Sequence, residues 1–500
     1  MKVKMLLVLA ATAWLLPAHA AFEPDELKWE LPRQARRTGD VLAIELPGTG
    51  SLMARAAVDL TPFEGGVLKA TISCRGKAVA PGPRSYLGFK FMLSFADATS
   101  RQKHWPGAKA ETGDWDWKTV EILVDLRKLR PREAALSLGL QESRGRVEFD
   151  LSTLRLERVK PLFEYDRSTE RCRYTERLSR AGARRGVMLP GGLCREEDFR
   201  TLRAWGVTLA RYQMTRGWGR RNDNQDPAEY ARWVDSRLDH LLDDVLPWAN
   251  RYGVEIVVDL HVAPGGRRED GDMNMFYDPR FADCFIAVWK TIATRCRGRA
   301  GIWAYDLINE PCQRHEGAPN CDYWTLQARA AKAVRAIDAT TPVVIESNGW
   351  DSPTDFETMR VLDLPDVIYQ AHMYEPHEFT HQGVNREWAP SEYPDEARGW
   401  SRDYLRSVLQ PVRDFQQRHG ARIYLGEFSA IAWAKGADRY LGDCLALFEE
   451  YGWDWTYHAF REWSGWSVEH TCEGPAAAFR PSADNPRRRA LLKAFEKDVQ

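Results

Sequence analysis

The pattern of apolar and polar residues divides the chain into two regions of different character. Up to about residue 160, apolar positions alternate with polar ones over short stretches that Gly, Pro and Asp separate, as in 67–72, 87–93, 119–124, 135–140 and 147–152. A period of two over such spans indicates β-strands with one buried face. We therefore predict an antiparallel β-sandwich over residues 21–162.

From about Arg184 onward, short apolar runs alternate with longer amphipathic stretches. The predicted strands are 186–189, 208–214, 255–261, 302–309, 342–348, 367–374, 422–428 and 453–460. The predicted helices are 227–251, 280–297, 323–337, 404–419 and 438–451. Eight strands with helical crossovers predict a (β/α)8 barrel over residues 163–500. An open doubly wound sheet is the competing topology, but the turn after the first strand, 189–192, lacks the Gly-rich dinucleotide pattern.

Composition agrees with two domains and narrows the range of partners. A chain of 500 residues is longer than one hydrophobic core usually supports. Its 70 basic and 71 acidic residues nearly cancel, which argues against a protein held to nucleic acid or a membrane surface by its charge. The 20 Trp and 17 Tyr residues supply flat amphipathic faces that can stack on sugar rings, although most such residues serve core packing.

The N-terminus has the pattern of a secretory signal. Lys2 and Lys4 precede an apolar run over 5–16, and Ala20 ends a small-residue cleavage site. We predict a signal peptide over residues 1–20 and a secreted or periplasmic protein. Of the nine cysteines, Cys312 and Cys321 flank one loop and form the best candidate disulfide, and the cysteine spacing does not match a structural zinc site.

Polar residues occur where the predicted barrel strands end. They are Arg211 in the second strand, His261 after the third, Asn309 and Glu310 after the fourth, His372 and Tyr374 at the sixth, and Glu427 at the seventh. The carboxyl ends of barrel strands meet at one face, so these side chains are predicted to converge. Two converging glutamates indicate glycoside hydrolysis, which needs one carboxyl group as acid and another as nucleophile or base.

These motifs together resemble the family 5 glycoside hydrolases, a family of retaining cellulases and mannanases with a (β/α)8 fold. The matching positions are 185–187, Arg211, 259–265, 309–311, His372 with Tyr374, and Glu427. The resemblance covers about 184–500 and implies that Glu310 is the general acid/base and Glu427 the nucleophile. It also implies that Arg211 and Tyr374 stabilise Glu427, that Asn309 binds the sugar 2-hydroxyl, and that His261 and His372 position the sugar and the acid.

The chain departs from the family at the end of the eighth strand. The family usually places a Trp there as the floor of a sugar subsite, and the simplest register puts His458 at this position. Trp463 in the following loop is the alternative platform. Trp218, Trp350 and Trp433 also follow strand ends, and Trp350 is the strongest candidate among them for stacking on a sugar.

We expect a monomeric, retaining endo-β-glycosidase that cleaves a β-linked glucan or mannan without metal or cofactor and has no nucleic-acid or membrane partner. A transglycosylase and a catalytically silent polysaccharide-binding protein are the alternatives, and the presence of both glutamates argues against the second. The N-terminal sandwich resembles carbohydrate-binding modules, which would make Trp105, Trp115 or Trp117 binding platforms. A purely structural sandwich is the competing interpretation.

Overall fold

The computed structural model describes residues 27–83, 86–192, 194–217, 224–315, 321–384 and 390–496. The predicted signal peptide over 1–20 and the predicted platform Trp218 lie outside these residues. The chain divides into two compact units, one ending at Pro161 and the other beginning at Leu162. Within the described ranges, no helix combines the length and the apolar character needed to cross a membrane.

The first unit consists of antiparallel β-strands, as the alternating pattern predicts. The strands are β1 (Trp29–Glu30), β2 (Arg36–Thr38), β3 (Val41–Ala57), β4 (Val67–Val79), β5 (Gly88–Asp97), β6 (Lys103–His104), β7 (Gly113–Asp125) and β8 (Pro131–Val159). They pair in the order β1-β3-β8-β4-β7, with β2 on β3, β5 on β8 and β6 on β5. The alternate apolar residues of β3, β4, β5 and β8 form one buried core.

Strand β8 organises this unit because three long strands pair with it. Its first part pairs with β5, its second part with β4, and β3 pairs along both. The sequence pattern indicated separate strands at 135–140 and 147–152, but the backbone continues through Gly145, whose φ is +121°. A Cβ at this position would lie 2.6 Å from the carbonyl oxygen of Ala78, so only glycine fits.

The second unit contains the predicted barrel. Its strands are β9 (Arg185–Met188), β10 (Leu209–Gln213), β11 (Glu255–Asp259), β12 (Ile302–Asp306), β13 (Val343–Glu346), β14 (Val367–Met373), β15 (Arg422–Phe428) and β16 (Asp454–Tyr457). All pair in parallel with their neighbours, and β16 pairs with β9 to close the barrel. The predicted (β/α)8 fold is confirmed, with most strands ending somewhat earlier than the apolar runs suggested.

Helices connect the barrel strands and pack their apolar faces on them. They are α1 (Glu176–Ser179), α2 (Glu196–Trp205), α3 (Pro227–His240), α4 (Leu246–Tyr252), α5 (Pro279–Cys296), α6 (Tyr323–Arg335), α7 (Asn348–Asp351), α8 (His377–Thr380), α9 (Arg402–His419), α10 (Ala437–Tyr451) and α11 (Pro486–Phe495). A π-helical turn, Leu241–Val245, joins α3 to α4 within the single helix predicted over 227–251. A short hairpin, β17 (His470–Thr471) with β18 (Arg480–Pro481), precedes α11.

The predicted disulfide between Cys312 and Cys321 is wrong for this structure, in which all nine cysteines are free thiols. The two sulfurs contact different partners. Cys312 is buried and its thiol lies 3.9 Å from a carboxylate oxygen of Asp272. The sulfur of Cys321 instead accepts a hydrogen bond from Arg329 at 3.5 Å.

Candidate active site

One fully buried guanidinium occupies the centre of the barrel. Arg211 on β10 donates to Glu427 Oε1 at 2.7 Å, to Asp306 Oδ2 at 3.0 Å and to Glu346 Oε1 at 2.9 Å. A fourth carboxylate, Asp259, lies 3.3 Å from its Nε. These carboxylates come from four different strands, so closing the barrel brings them together around a single positive charge.

The buried carboxylates outnumber the single arginine that they share, and their pKa values differ widely. Burial raises the pKa of Asp306 to about 6, despite the opposing charge of Arg211. Burial and the neighbouring charge of Asp351 raise the pKa of Glu346 well above its ordinary value. Glu427 is the exception, because the positive charges of His372, His458 and Arg211 outweigh its burial and lower its pKa. The site therefore holds Glu427 ionised.

Glu427 lies at the end of β15, where two donors fix its carboxylate. Arg211 donates to Oε1, and the Tyr374 hydroxyl donates to Oε2 at 2.8 Å. His372 Nδ1 lies 3.8 Å from the same Oε2. The structure thus brings together all of the residues that the sequence placed around Glu427.

Glu310 follows β12 in a strained backbone conformation. Its φ of +51° lies in the left-handed region, which is uncommon for residues other than glycine. Two contacts hold this conformation: the backbone N–H donates to Glu346 Oε2 at 2.6 Å, and the carbonyl accepts from Arg267 Nη2 at 2.7 Å. An oxygen of Glu310 lies within 4.8 Å of an oxygen of Glu427. Strain of this kind is typical of functional positions.

Two further predicted residues flank the carboxylate pair. Asn309 Oδ1 accepts from Arg211 at 3.0 Å, while its buried Nδ2 has no hydrogen-bond partner in the described part of the chain. His261 Nδ1 lies 2.8 Å from Asp259 Oδ2, which orients the imidazole ring. A buried amide without a partner costs free energy unless a ligand satisfies it.

His372 on β14 stands between the two glutamates. Its Nδ1 lies 3.2 Å from Glu310 Oε1 and 3.8 Å from Glu427 Oε2, and its Nε2 lies 3.6 Å from Asp351 Oδ2. Burial alone would lower its pKa, but the charge of Glu427, the hydrogen bond to Glu310 and the charge of Asp351 raise the pKa to about 9. The imidazole is therefore a cation at neutral pH.

His458 directly follows β16, at the position where the predicted register replaces a tryptophan. Its Nδ1 lies 2.7 Å from the Tyr374 hydroxyl, and its Nε2 lies 3.2 Å from Glu462 Oε2. Gln213 donates to the same Glu462 oxygen at 2.9 Å. Burial would lower the pKa of His458, but the charges of Glu462 and Glu427 outweigh it and raise the pKa. His458 thus belongs to a polar chain that ends at Glu427.

The predicted aromatic platforms differ in their surroundings. Trp463 is 38% exposed and makes edge contacts with Trp433 and Trp466, and the Trp466 ring lies 5.5 Å from the His458 ring. Trp350, with a φ of +69°, carries the guanidinium of Arg267 3.8 Å above its ring, so one of its faces is already covered. Trp463 is therefore more exposed than Trp350.

Among the residues that the structure describes, three groups of side chains have the spacing of metal ligands. They are Asp270 with Asp272 and His315, Glu310 with His372 and Glu427, and Glu346 with Asp351 and His372. Asp272 already accepts hydrogen bonds from the backbone of Arg314 and His315 and from Tyr277. Both other groups depend on His372, whose raised pKa favours a proton over a metal ion.

Sequence reasoning missed several buried acids of this site. They are Asp306, Glu346 and Asp351. A signal existed for Asp306 and Glu346, since each closes a strand whose other residues are all buried. Acidic residues are almost never fully buried unless they are paired, so a carboxylate in such a strand points to a charged interior.

Comparison with known proteins places the barrel among cellulases. Residues 188–467 match the family described as Cellulase (glycosyl hydrolase family 5). Endoglucanase C of Acetivibrio thermocellus is 28% identical over 252 residues, which cover 43% of this chain and 71% of that protein. Cellodextrinase A of Ruminococcus flavefaciens is 24% identical over 254 residues, covering 47% and 69%. A solved endoglucanase structure covers 62% of this chain and 96% of its own, at 18% identity and a TM-score of 0.48.

Proposed function

Because this chain belongs to the cellulase family, glycosyl hydrolase family 5, and is therefore a glycoside hydrolase, we propose that it cleaves a β-linked polysaccharide with retention of configuration. Glu427 serves as the nucleophile and Glu310 as the general acid/base. The single observation that carries this assignment is the approach of their oxygens to within 4.8 Å. Retaining enzymes hold the two carboxyl groups ~5–5.5 Å apart, whereas inverting enzymes leave room for a water molecule between them.

In the first step, a carboxylate oxygen of Glu427 attacks the anomeric carbon. The bond to the leaving sugar breaks, and Glu310 transfers its proton to the leaving oxygen, which gives a covalent glycosyl-enzyme and a free chain end. Arg211 and Tyr374 keep the nucleophile ionised and oriented before attack. The Nδ2 of Asn309, which has no partner in the described protein, donates to the sugar 2-hydroxyl.

In the second step, water releases the sugar. Glu310, now a carboxylate, removes a proton from the water as its oxygen attacks the anomeric carbon, and the ester bond to Glu427 breaks. Glu310 is thereby protonated again and Glu427 is restored as a carboxylate. His372, 3.2 Å from Glu310, stabilises the negative charge that Glu310 carries between the two steps.

The substrate is a β-linked glucan or mannan, and cleavage occurs within the chain. The named relatives are endoglucanases and a cellodextrinase. The exposed Trp463, held by Trp433 and Trp466, supplies a face on which a sugar unit stacks beside the site. The N-terminal signal pattern supports the proposal that the enzyme acts outside the cytoplasm, where such polymers occur.

The stereochemistry of the product tests this proposal without requiring the natural substrate. Proton NMR of the earliest product from an accepted β-glycoside should show the β-anomer, with the α-anomer appearing later by mutarotation. An α-anomer as first product would require carboxyl groups ~6.5–9.5 Å apart and would refute the retaining mechanism. Product sizes from defined β-glucans, mannans and xylans then identify the polymer and separate internal from terminal cleavage.

A further inference from the structure

A groove with a volume of about 940 Å³ crosses four neighbouring strands of the N-terminal unit. Strands β3, β8, β4 and β7 contribute its walls in that order, which is their order in the sheet. All of the residues that line the groove belong to this unit. Its volume lies in the range of sites that bind small molecules or several sugar units.

The charges in this groove balance and neutralise one another. Four basic residues line it, Arg75, Lys77, Arg144 and Arg146, together with four acidic ones, Glu45, Asp114, Asp116 and Glu148. Glu148, only 6% exposed, accepts hydrogen bonds from both Arg75 and Arg146, and Arg146 also reaches Glu45 at 3.3 Å. The guanidinium groups of Arg75 and Arg146 are therefore held in fixed orientations, and the equal numbers of basic and acidic residues offer a polyanion no excess of positive charge.

One tryptophan, Trp115, lines the groove, and a second, Trp117, contacts the lining residue Arg75. Trp115 lies across Gly76, where any Cβ would come within 2.2 Å of the ring. Its buried Nε1 has no hydrogen-bond partner among the described residues. Trp117, which is 38% exposed, carries the Arg75 guanidinium 4.9 Å from its ring centroid. The groove thus combines planar polar groups of fixed geometry with the ring of Trp115, while Trp117 supports the guanidinium of Arg75 from beside the groove.

We propose that this groove binds a neutral β-linked glycan chain, and the choice of β-linkage rests on the function proposed for the barrel. A sugar chain without charge presents hydroxyl groups, which need donors and acceptors in fixed positions, and flat apolar ring faces, which stack on aromatic side chains. The balanced charges exclude polyanions as the preferred ligand. Binding here raises the concentration of the polymer near the barrel by linking the two units in one chain.

Affinity electrophoresis of the full chain tests whether the groove binds a neutral glycan. All proteins carry Glu427→Ala, so that no polymer is degraded and the barrel contributes equally to each measurement. Native gels contain soluble β-glucan, galactomannan or an anionic polysaccharide. We expect Trp117→Ala to weaken binding to one neutral polymer by at least about tenfold, which corresponds to about 1.4 kcal/mol. Trp105→Ala is the matched control, since Trp105 is 62% exposed but, unlike Trp117, carries no groove arginine over its ring in the described part of the chain.

A second variant leaves Trp117 in place, so that weaker binding cannot be attributed to a structural change caused by losing this residue. Lys77→Ala combined with Arg144→Ala removes two groove cations that make no ion pair in the described ranges, and it should also weaken binding to the neutral polymer. Unchanged retardation of both variants on every gel would overturn the proposal, and so would weakening on the anionic gel alone. Because the background is catalytically inactive, the result does not depend on whether the barrel hydrolyses the same polymer.

Discussion

Both units contain clusters of arginines and carboxylates, but the two clusters differ in balance and exposure. In the barrel, one fully buried guanidinium, Arg211, faces four carboxylates. In the groove of the N-terminal unit, Arg75 and Arg146 share Glu148, and the side chain of Arg146 remains 46% exposed. The same residue types therefore form a charged interior in one unit and a neutral surface in the other.

This difference explains where acid–base chemistry can occur. Solvent screens the groove, and its balanced charges leave both partners of each pair ionised. In the barrel, one arginine cannot neutralise four buried carboxylates, so some of them retain protons while Glu427 remains ionised. An ionised Glu427 is what nucleophilic catalysis requires, and the backbone N–H of Glu310, the proposed general acid, donates to Glu346 of the same cluster. The following predictions test this contrast.

Replacing Glu427, the ionised carboxylate of the barrel cluster, should have the largest effect on activity. Glu427→Ala should lower kcat by at least about 10⁴-fold, since a nucleophile cannot be replaced by its neighbours. Azide should restore part of the activity and yield a glycosyl azide of inverted configuration. The matched change in the groove, Glu148→Ala, should leave hydrolysis of a soluble oligosaccharide unchanged. A Glu427→Ala enzyme with more than a tenth of the activity, a loss under about 1.4 kcal/mol, would contradict the assignment.

Replacing an arginine should cost more folding stability in the barrel cluster than in the groove. Arg211→Met leaves four buried carboxylates without their common partner and should lower the free energy of unfolding by about 3–5 kcal/mol. Arg146→Met should cost only about 0–1 kcal/mol, because this arginine is partly exposed and Glu148 keeps Arg75.

Urea denaturation of both variants, with Trp fluorescence as the signal, measures the difference between these costs. Equal losses of stability would show that burial does not distinguish the two clusters. A variant of Arg211 that stayed as stable as the unmodified protein would mean that its carboxylates simply take up protons.

The barrel was predictable from sequence because its signals are local. Each strand is a short apolar run, and a polar residue lies near its end, as Glu427 does within β15, or in the loop after it, as Glu310 does after β12. The parallel topology then brings these ends together without further information. Only the strand limits were less well predicted, because apolar residues beyond β16, such as Phe460, continue into buried loop positions.

The charge network was not predictable in the same way. Glu346 contacts Arg211, Gln370 and the backbone of Glu310, which are distant in sequence and meet only when the barrel closes. A β-strand pattern shows that Glu346 faces a buried environment but not which group neutralises it. The candidate disulfide at Cys312 failed for the same reason, since proximity in sequence does not fix the direction of a side chain.

His372 in the barrel and Glu148 in the groove should contribute to stability with opposite dependence on pH. The folded-state pKa of His372, about 9, exceeds its ordinary value of 6.5, so its stabilising contribution is complete below pH 6.5 and is lost as the pH rises through 9. The expected loss is on the order of 3 kcal/mol. For Glu148, hydrogen bonds from Arg146 and Arg75 outweigh burial and lower the pKa, so its contribution is present above pH 4.5 and is lost in acid.

Unfolding free energies measured between pH 2 and pH 10 check both signs. His372→Gln should remove most of the alkaline loss, and Glu148→Gln should reduce the acid loss while leaving the alkaline one intact. If the alkaline loss persisted in His372→Gln, another group would be the source of the stabilisation.

The smallest effect should come from one hydroxyl that joins Glu427 to His458. The Tyr374 hydroxyl lies 2.8 Å from Glu427 Oε2 and 2.7 Å from His458 Nδ1. Tyr374→Phe keeps the ring packing but removes a hydrogen bond to a charged group, worth about 1.5–3 kcal/mol. We expect kcat to fall about 10- to 100-fold, and the acid limb of the pH–rate profile to move to higher pH because Glu427 then takes up a proton more readily. Tyr440→Phe, which removes a buried hydroxyl bonded to the Met373 carbonyl, is the matched control. If both variants lost the same activity and neither acid limb moved, Tyr374 would contribute only packing, and Arg211 with the two histidines would suffice to hold the nucleophile ionised.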